Sequence, residues 1–327
     1  MESLPKDMLY TLAKDMKIRD LVHLCQTDKR AYEKICKNDN IWRYRLNKEF
    51  PNWEDFNLNK SPIQTYIFLY QLKILKKKSN RPESIFELFN LQILDMKHNA
   101  LIIELPKEIG NLHNLRDLDL TYNQLERIPK EIGNLSNLHK LKINFNWLTE
   151  LPKEIGNLHN LQKLDLSNNQ LKYIPKEIGN LSNLQKLNLS ENQLTDIPKE
   201  IGNLSNLQKL QLYGNQLKHI PKEIGNLLKL HYLSLSKNRL IELPNEIGNL
   251  SNLRILSVSY NDLTEIPYEI GNLSDLQELY LSGNDFTRIP GEIGNLPNLQ
   301  ELYLYHTKYL KQIPDKIKDN KMIQIFN

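Results

Sequence analysis

Most of this chain is written with one period. Asn123, Asn146, Asn169, Asn192, Asn215, Asn238, Asn261 and Asn284 stand 23 residues apart. Asn99 lies 24 before Asn123, where Ile102-Ile103 adds a residue, and Thr307 stands where a tenth Asn would fall. Around each Asn the same stretch returns, beginning at Pro152 in one copy and at Pro175 in the next. No single copy can bury its own apolar residues, so such a chain must stack its turns and share one continuous core between them.

Within the copy that starts at Pro152, Leu164 and Leu166 have strand spacing and face one side. Lys163, Asp165 and Ser167 face the other. Asn169 turns the chain, and its amide is expected to bond backbone groups of neighbouring turns. Leu171, Ile174, Ile178, Leu181 and Leu184 supply core from the return segment, while Lys-Glu-Ile-Gly-Asn reads as a solvated face with a turn glycine. The L-x-x-L-x-L-x-x-N-x-L pattern resembles the leucine-rich repeat. That resemblance implies an α/β solenoid, a horseshoe with a parallel concave sheet, spanning residues 82–314 in about ten repeats, with 315–327 as a C-terminal cap.

Residues 1–50 have helical spacing instead. Leu4-Pro5 opens a helix, with Leu9, Leu12 and Met16 following at helical intervals, and three short helices come after it, the last around Ile41-Trp42. The order Leu4-Pro5, Leu9, Leu12, Asp20-Leu21, Leu24-Cys25, Arg30, Ile35, Ile41-Trp42 resembles an F-box. An F-box docks a Skp-type adaptor and so joins a cullin-RING ubiquitin ligase. On that resemblance Leu4, Pro5, Leu9, Leu21 and Trp42 are the expected adaptor contacts, with Leu12 and Ile35 in the domain's own core. The alternative is a helical cap that only closes the solenoid. Residues 51–81 read as a connector whose helix starts at Ser61-Pro62 and is too aromatic for a free linker.

Composition narrows the function. The net charge of +4 is uneven: residues 1–80 hold 16 Lys and Arg against 10 Asp and Glu, and the repeats 27 against 29. The basic run Lys73, Lys76, Lys77, Lys78 has no base-stacking aromatics or zinc module beside it, and nucleic acid is not the expected partner. No apolar run approaches a membrane span and the first residues lack a signal-peptide pattern. With only Cys25 and Cys36, both near the N-terminus, no disulfide framework is expected, and a cytoplasmic or nuclear protein follows. No histidine pattern or phosphate loop suggests catalysis, a metal or a cofactor.

Binding remains, and each turn shows which positions face outward. One row runs through Lys140, Lys163, Lys186 and Lys209; Phe145, Trp147, Tyr280, Tyr303 and Tyr305 depart from the repeat as exposed aromatics. These nine residues form the expected target face, and the lysines suit an acidic segment. The arrangement is similar to F-box repeat proteins encoded by large DNA viruses, which implies a monomeric substrate receptor acting in a host cell without catalysis of its own. The alternative resemblance is to intracellular repeat scaffolds that bind Ras-like GTPases.

Overall fold

A computed structural model describes Ala13, Met16, Lys17, Ile35 and residues 38–56, 61–79, 84–98 and 103–327. Leu4, Pro5, Leu9 and Leu21 lie outside the described residues. Two units divide the chain, Met1–Asn90 and Leu91–Asn327.

In the first unit, α1 (Asp39–Glu49) starts where Asn38 caps it, its side chain accepting from the Asn40 N–H at 3.1 Å. Helix α2 (Pro62–Ser79) opens at the Ser61-Pro62 signal. Gln64 N–H donates to Ser61 Oγ at 3.5 Å, and Ser61 N–H donates back to Gln64 Oε1 at 3.2 Å. Ser84 and Glu87 repeat that reciprocal cap on α3 (Ile85–Asn90). Trp42 has no exposed surface and sits 5.4 Å from the Tyr66 ring, so in the chain by itself it is a core residue. Beside it Arg45 is buried. It donates to the carbonyls of Ala13 and Met16 at 3.0 and 2.8 Å and to Glu49 Oε1 at 3.1 Å. Tyr66 donates its hydroxyl to the same Glu49 oxygen at 2.6 Å, tying α2 to α1. Burial, then that bond to Glu49, pushes the Tyr66 hydroxyl well above its ordinary value.

The second unit is a solenoid. Its strands are β1 (Ile93–Asp95), β2 (Asp117–Asp119), β3 (Lys140–Lys142), β4 (Lys163–Asp165), β5 (Lys186–Asn188) and β6 (Lys209–Gln211). They continue as β7 (Tyr232–Ser234), β8 (Ile255–Ser257), β9 (Glu278–Tyr280), β10 (Glu301–Tyr303) and β11 (Gln324–Phe326). All eleven pair in parallel and in sequence order, and each residue meets its counterpart in the next turn. The segment Met322–Asn327 therefore supplies an eleventh strand. Leu164, Leu166, Leu171, Ile174, Ile178, Leu181 and Leu184 are all buried, as their spacing predicts. Ser167, expected to face outward, is buried, as are Ser190, Ser236, Ser259 and Ser282 at the same position of other turns, and its hydroxyl donates to Asp165 Oδ1 at 2.7 Å.

The asparagine column works as predicted. Asn169 Nδ2 donates to the carbonyl of Ile143 one turn back at 2.9 Å and to Leu166 in its own turn at 3.0 Å. Its Oδ1 accepts from Leu148 N–H at 3.0 Å. Both halves of a buried amide are thus used on backbone groups, Ile143 O, Leu166 O and Leu148 N–H, that the turn-to-turn backbone bonds do not reach. Thr307 keeps one of these bonds, donating its hydroxyl to Leu304 O at 2.8 Å. A second column was not anticipated. Asn137, Asn160, Asn183, Asn206, Asn252 and Asn298 each donate from the side chain to a carbonyl 24 residues earlier.

Nine return segments are five-residue 3-10 turns, from Lys107–Asn111 to Gly291–Asn295, and a short α-helix, α4 (Asp315–Lys318), takes the next place. Proline precedes each in extended backbone, for example Pro175 at φ −66° and ψ 146°. The glycine of each segment is needed for close approach of turns rather than for a turn conformation. A Cβ on Gly179 would lie 2.4 Å from the carbonyl oxygen of Glu200 in the next turn.

Candidate functional site

The outer face of the sheet is built from the first and third residue of each strand, since the middle one enters the core. Registry places Lys140 beside Lys163, Lys163 beside Lys186 and Lys186 beside Lys209, so the predicted lysine row exists on four adjacent strands. Its members are not equivalent. Lys140 reaches Asp117 at 2.8 Å, and Lys142, in the parallel row, reaches Asp119 at 3.1 Å. Lys209 places its ammonium 4.2 Å from the centre of the Tyr232 ring. Lys163 and Lys186 are exposed and have no ion-pair or hydrogen-bond partner among the described residues. Asp165 is occupied by Ser167, whose N–H and hydroxyl both donate to it.

Asp119 is held in a similar way. Burial pushes its carboxyl up, but hydrogen bonds from the Thr121 hydroxyl and N–H and from Lys142 outweigh burial and leave it below its usual value.

Aromatic side chains gather at both ends of the face. Tyr280 and Tyr303 stack at 4.3 Å, and Phe326 continues the stack beyond Tyr303 at 4.5 Å. Tyr305 stands tilted, 6.5 Å from Tyr303. Tyr280 donates its hydroxyl to Glu278 and Tyr303 to Glu301, each at 2.6 Å. Burial and the bond to Glu278 raise the Tyr280 hydroxyl well above its ordinary value, and the bond to Glu301 raises that of Tyr303.

At the other end Phe145 stacks on Tyr122 at 4.3 Å and Tyr122 on His98 at 4.7 Å, and Trp147 is exposed nearby in sequence. Sequence reading singled out Phe145 but missed His98 and Tyr122. The signal was present, because all three occupy the position just before the repeated Asn. That position takes left-handed backbone in each turn, from His98 at φ 55° to His306 at φ 57°. Gly214 and Gly283 fill it in two turns, and a Cβ on Gly283 would lie 2.6 Å from the ring of Tyr260. Phe326 was missed for another reason: the array was expected to end before it.

Among the described residues, no group of three or more His, Cys, Asp or Glu side chains is placed to hold a metal ion. No described helix is long and apolar enough to cross a membrane.

Comparison with known proteins agrees with this geometry. The family model described as "Leucine-rich repeat region" matches residues 132–222 and 214–319, and that described as "Leucine Rich Repeat" matches 90–112 and 114–135. This chain belongs to the leucine-rich-repeat family. A leucine-rich-repeat protein of Leptospira interrogans is 38% identical over 75% of this chain and 74% of its own, with a TM-score of 0.53. The ectodomain of the plant membrane receptor kinase GASSHO1/SCHENGEN3 from Arabidopsis thaliana, solved in complex with Casparian strip integrity factor 2, is 42% identical. It covers 68% of this chain and 28% of its own, with a TM-score of 0.62. The Toll–Spätzle complex of Drosophila matches at 25% identity over 73% of this chain and 33% of that one, with a TM-score of 0.65. A search of curated proteins returned no significant match.

Proposed function

We propose that this chain is the substrate-recognition subunit of an SCF-type cullin-RING ubiquitin ligase. Its sheet face holds a protein target, its N-terminal unit engages a Skp-type adaptor, and partner subunits carry out ubiquitin transfer. The observation that supports the target half is the contrast between scaffold and face. Core leucines, asparagines and glycines recur turn after turn, while outward positions change from lysine to tyrosine and glutamate along one sheet. Solvent-facing residues that the fold does not require, including unpartnered lysines and exposed aromatics, are the usual makings of an interface. Two of the similar structures were solved as complexes, which supports a recognition role.

The adaptor half is supported by the F-box resemblance from Leu4 to Trp42. Affinity purification of the full chain, with quantitation of adaptor and cullin, tests it. Leu4→Ala with Pro5→Ala should remove adaptor and cullin and leave target recovery unchanged. Full adaptor recovery by that double variant, or no adaptor with the unaltered chain, would favour a scaffold without ligase function.

A further inference from the structure

The sheet face is electrically two-ended, and the geometry points to its occupant: we infer that the target segment is a polypeptide with an acidic cluster and a basic cluster about 24 Å apart. This rests on the target-binding reading above and goes beyond it by fixing what the target must carry.

Toward the N-terminal half of the face, Lys163 and Lys186 on β4 and β5 are the two lysines of the row without partners. They are like charges directly opposite one another, an arrangement that costs stability unless something negative lies over them. Glu191 does not supply it, because its carboxylate is folded against Gly214, where a Cβ would lie 2.8 Å from Glu191 Cδ. At the other end the same outward row places Glu278 beside Glu301 on β9 and β10. No cation pairs with either among the described residues; each accepts only a tyrosine hydroxyl. That is a second like-charge pair, of opposite sign. Between the two, the row passes through Lys209, whose ammonium lies over the Tyr232 ring, then Tyr232 and Ile255, and beside these last two the neighbouring outward residues shrink to Ser234 and Ser257.

The midpoints of the charged pairs are five strands apart, which at about 4.8 Å per strand is about 24 Å. An extended segment crosses that distance in about seven residues, and an α-helix in about sixteen. A uniformly acidic partner, nucleic acid included, would meet repulsion at Glu278 and Glu301. A uniformly basic one would meet it at Lys163 and Lys186.

Selection of a random 20-residue peptide library on the full chain tests this, with Glu278→Lys/Glu301→Lys and Lys163→Glu/Lys186→Glu variants selected in parallel. Circular dichroism should show that both variants retain the fold. The unaltered chain should enrich peptides that carry an acidic and a basic cluster on either side of a large apolar residue. The glutamate variant should lose the basic cluster from its peptides, the lysine variant the acidic one, and each should bind the peptide selected on the unaltered chain at least tenfold more weakly at low salt. Enrichment of uniformly acidic peptides, untouched by the glutamate substitutions, would overturn the two-ended inference and leave target binding on this face intact. If the unaltered chain enriches no peptide at all, the inference fails together with the face as a target site.

Discussion

Strands β3–β6 and β9–β11 differ in everything that faces solvent and in almost nothing that faces the core. Leu187 and Leu279 are both buried at the middle of their strands, and Asn192 and Asn284 make the same backbone bonds to their own and the preceding turn. Outside, the first region presents lysines, two of them unpartnered, and the second presents stacked tyrosines bonded to glutamates. The scaffold is thus a fixed solution to stacking, and the face is free to vary because the backbone bonds between strands do not depend on its side chains.

Core substitutions should therefore cost the same in both regions. Leu187→Ala and Leu279→Ala each remove a fully buried side chain and are expected to destabilise by about 2–5 kcal/mol. Urea unfolding that separated the pair by more than about 1.5 kcal/mol would break the equivalence. Loss of the asparagine amide comes next. Asn169→Ala and Asn284→Ala each leave one buried N–H unpaired, that of Leu148 or of Leu263, and take an amide donor from carbonyls most of which a neighbouring asparagine also reaches, at about 1–3 kcal/mol; a thermal melt unchanged by either would contradict that role.

Glycine sharpens the comparison, because here the regions should differ. A Cβ at Gly179 would meet the Glu200 carbonyl oxygen at 2.4 Å, whereas at Gly271 the corresponding Glu292 oxygen is 3.4 Å away and the nearest atom is a side-chain carbon at 2.8 Å. Gly179→Ala should lower Tm more than Gly271→Ala, since a backbone carbonyl is harder to displace. Equal shifts would mean that the turns are as tightly stacked near β9 as near β5.

The smallest effect concerns Asp119 and pH. Its folded value lies below that of the unfolded chain, so the stability it contributes is present above about pH 3.9. That contribution is lost as pH falls through the lower folded value. Asp119→Asn should give a slightly lower Tm than the unaltered chain at pH 7, with the difference fading in acid. A gap that widened on acidification would have the wrong sign for this site.

Much of this was legible in the sequence for a physical reason. A 23-residue period fixes the strand register, because residues one period apart must stack; the lysine row and the Tyr280-Tyr303 pair followed directly. What stayed hidden depends on which atoms meet. Arg45, Glu49 and Tyr66 carry no periodic signature, yet they join α1 to α2 through one partly buried carboxylate. Glycine in the return segment suggested a turn, and only the distance to the next turn's carbonyl shows that it serves packing. Lys140 and Lys209 looked like Lys163 and Lys186, but Asp117 and Tyr232 engage them.

On the proposed reading the sheet face, and not the scaffold, recognises the target. Replacing Lys163, Lys186 and Lys209 by Glu and measuring target recovery from cell extract at low and at physiological salt tests it most directly. Exposed charges contribute little to folding, so Tm and adaptor recovery should not change. Target recovery should fall at least tenfold, and the unaltered chain's own recovery should weaken as salt rises. Undiminished target recovery by the triple variant at low salt would contradict the claim for the lysine row and leave it as solvated surface.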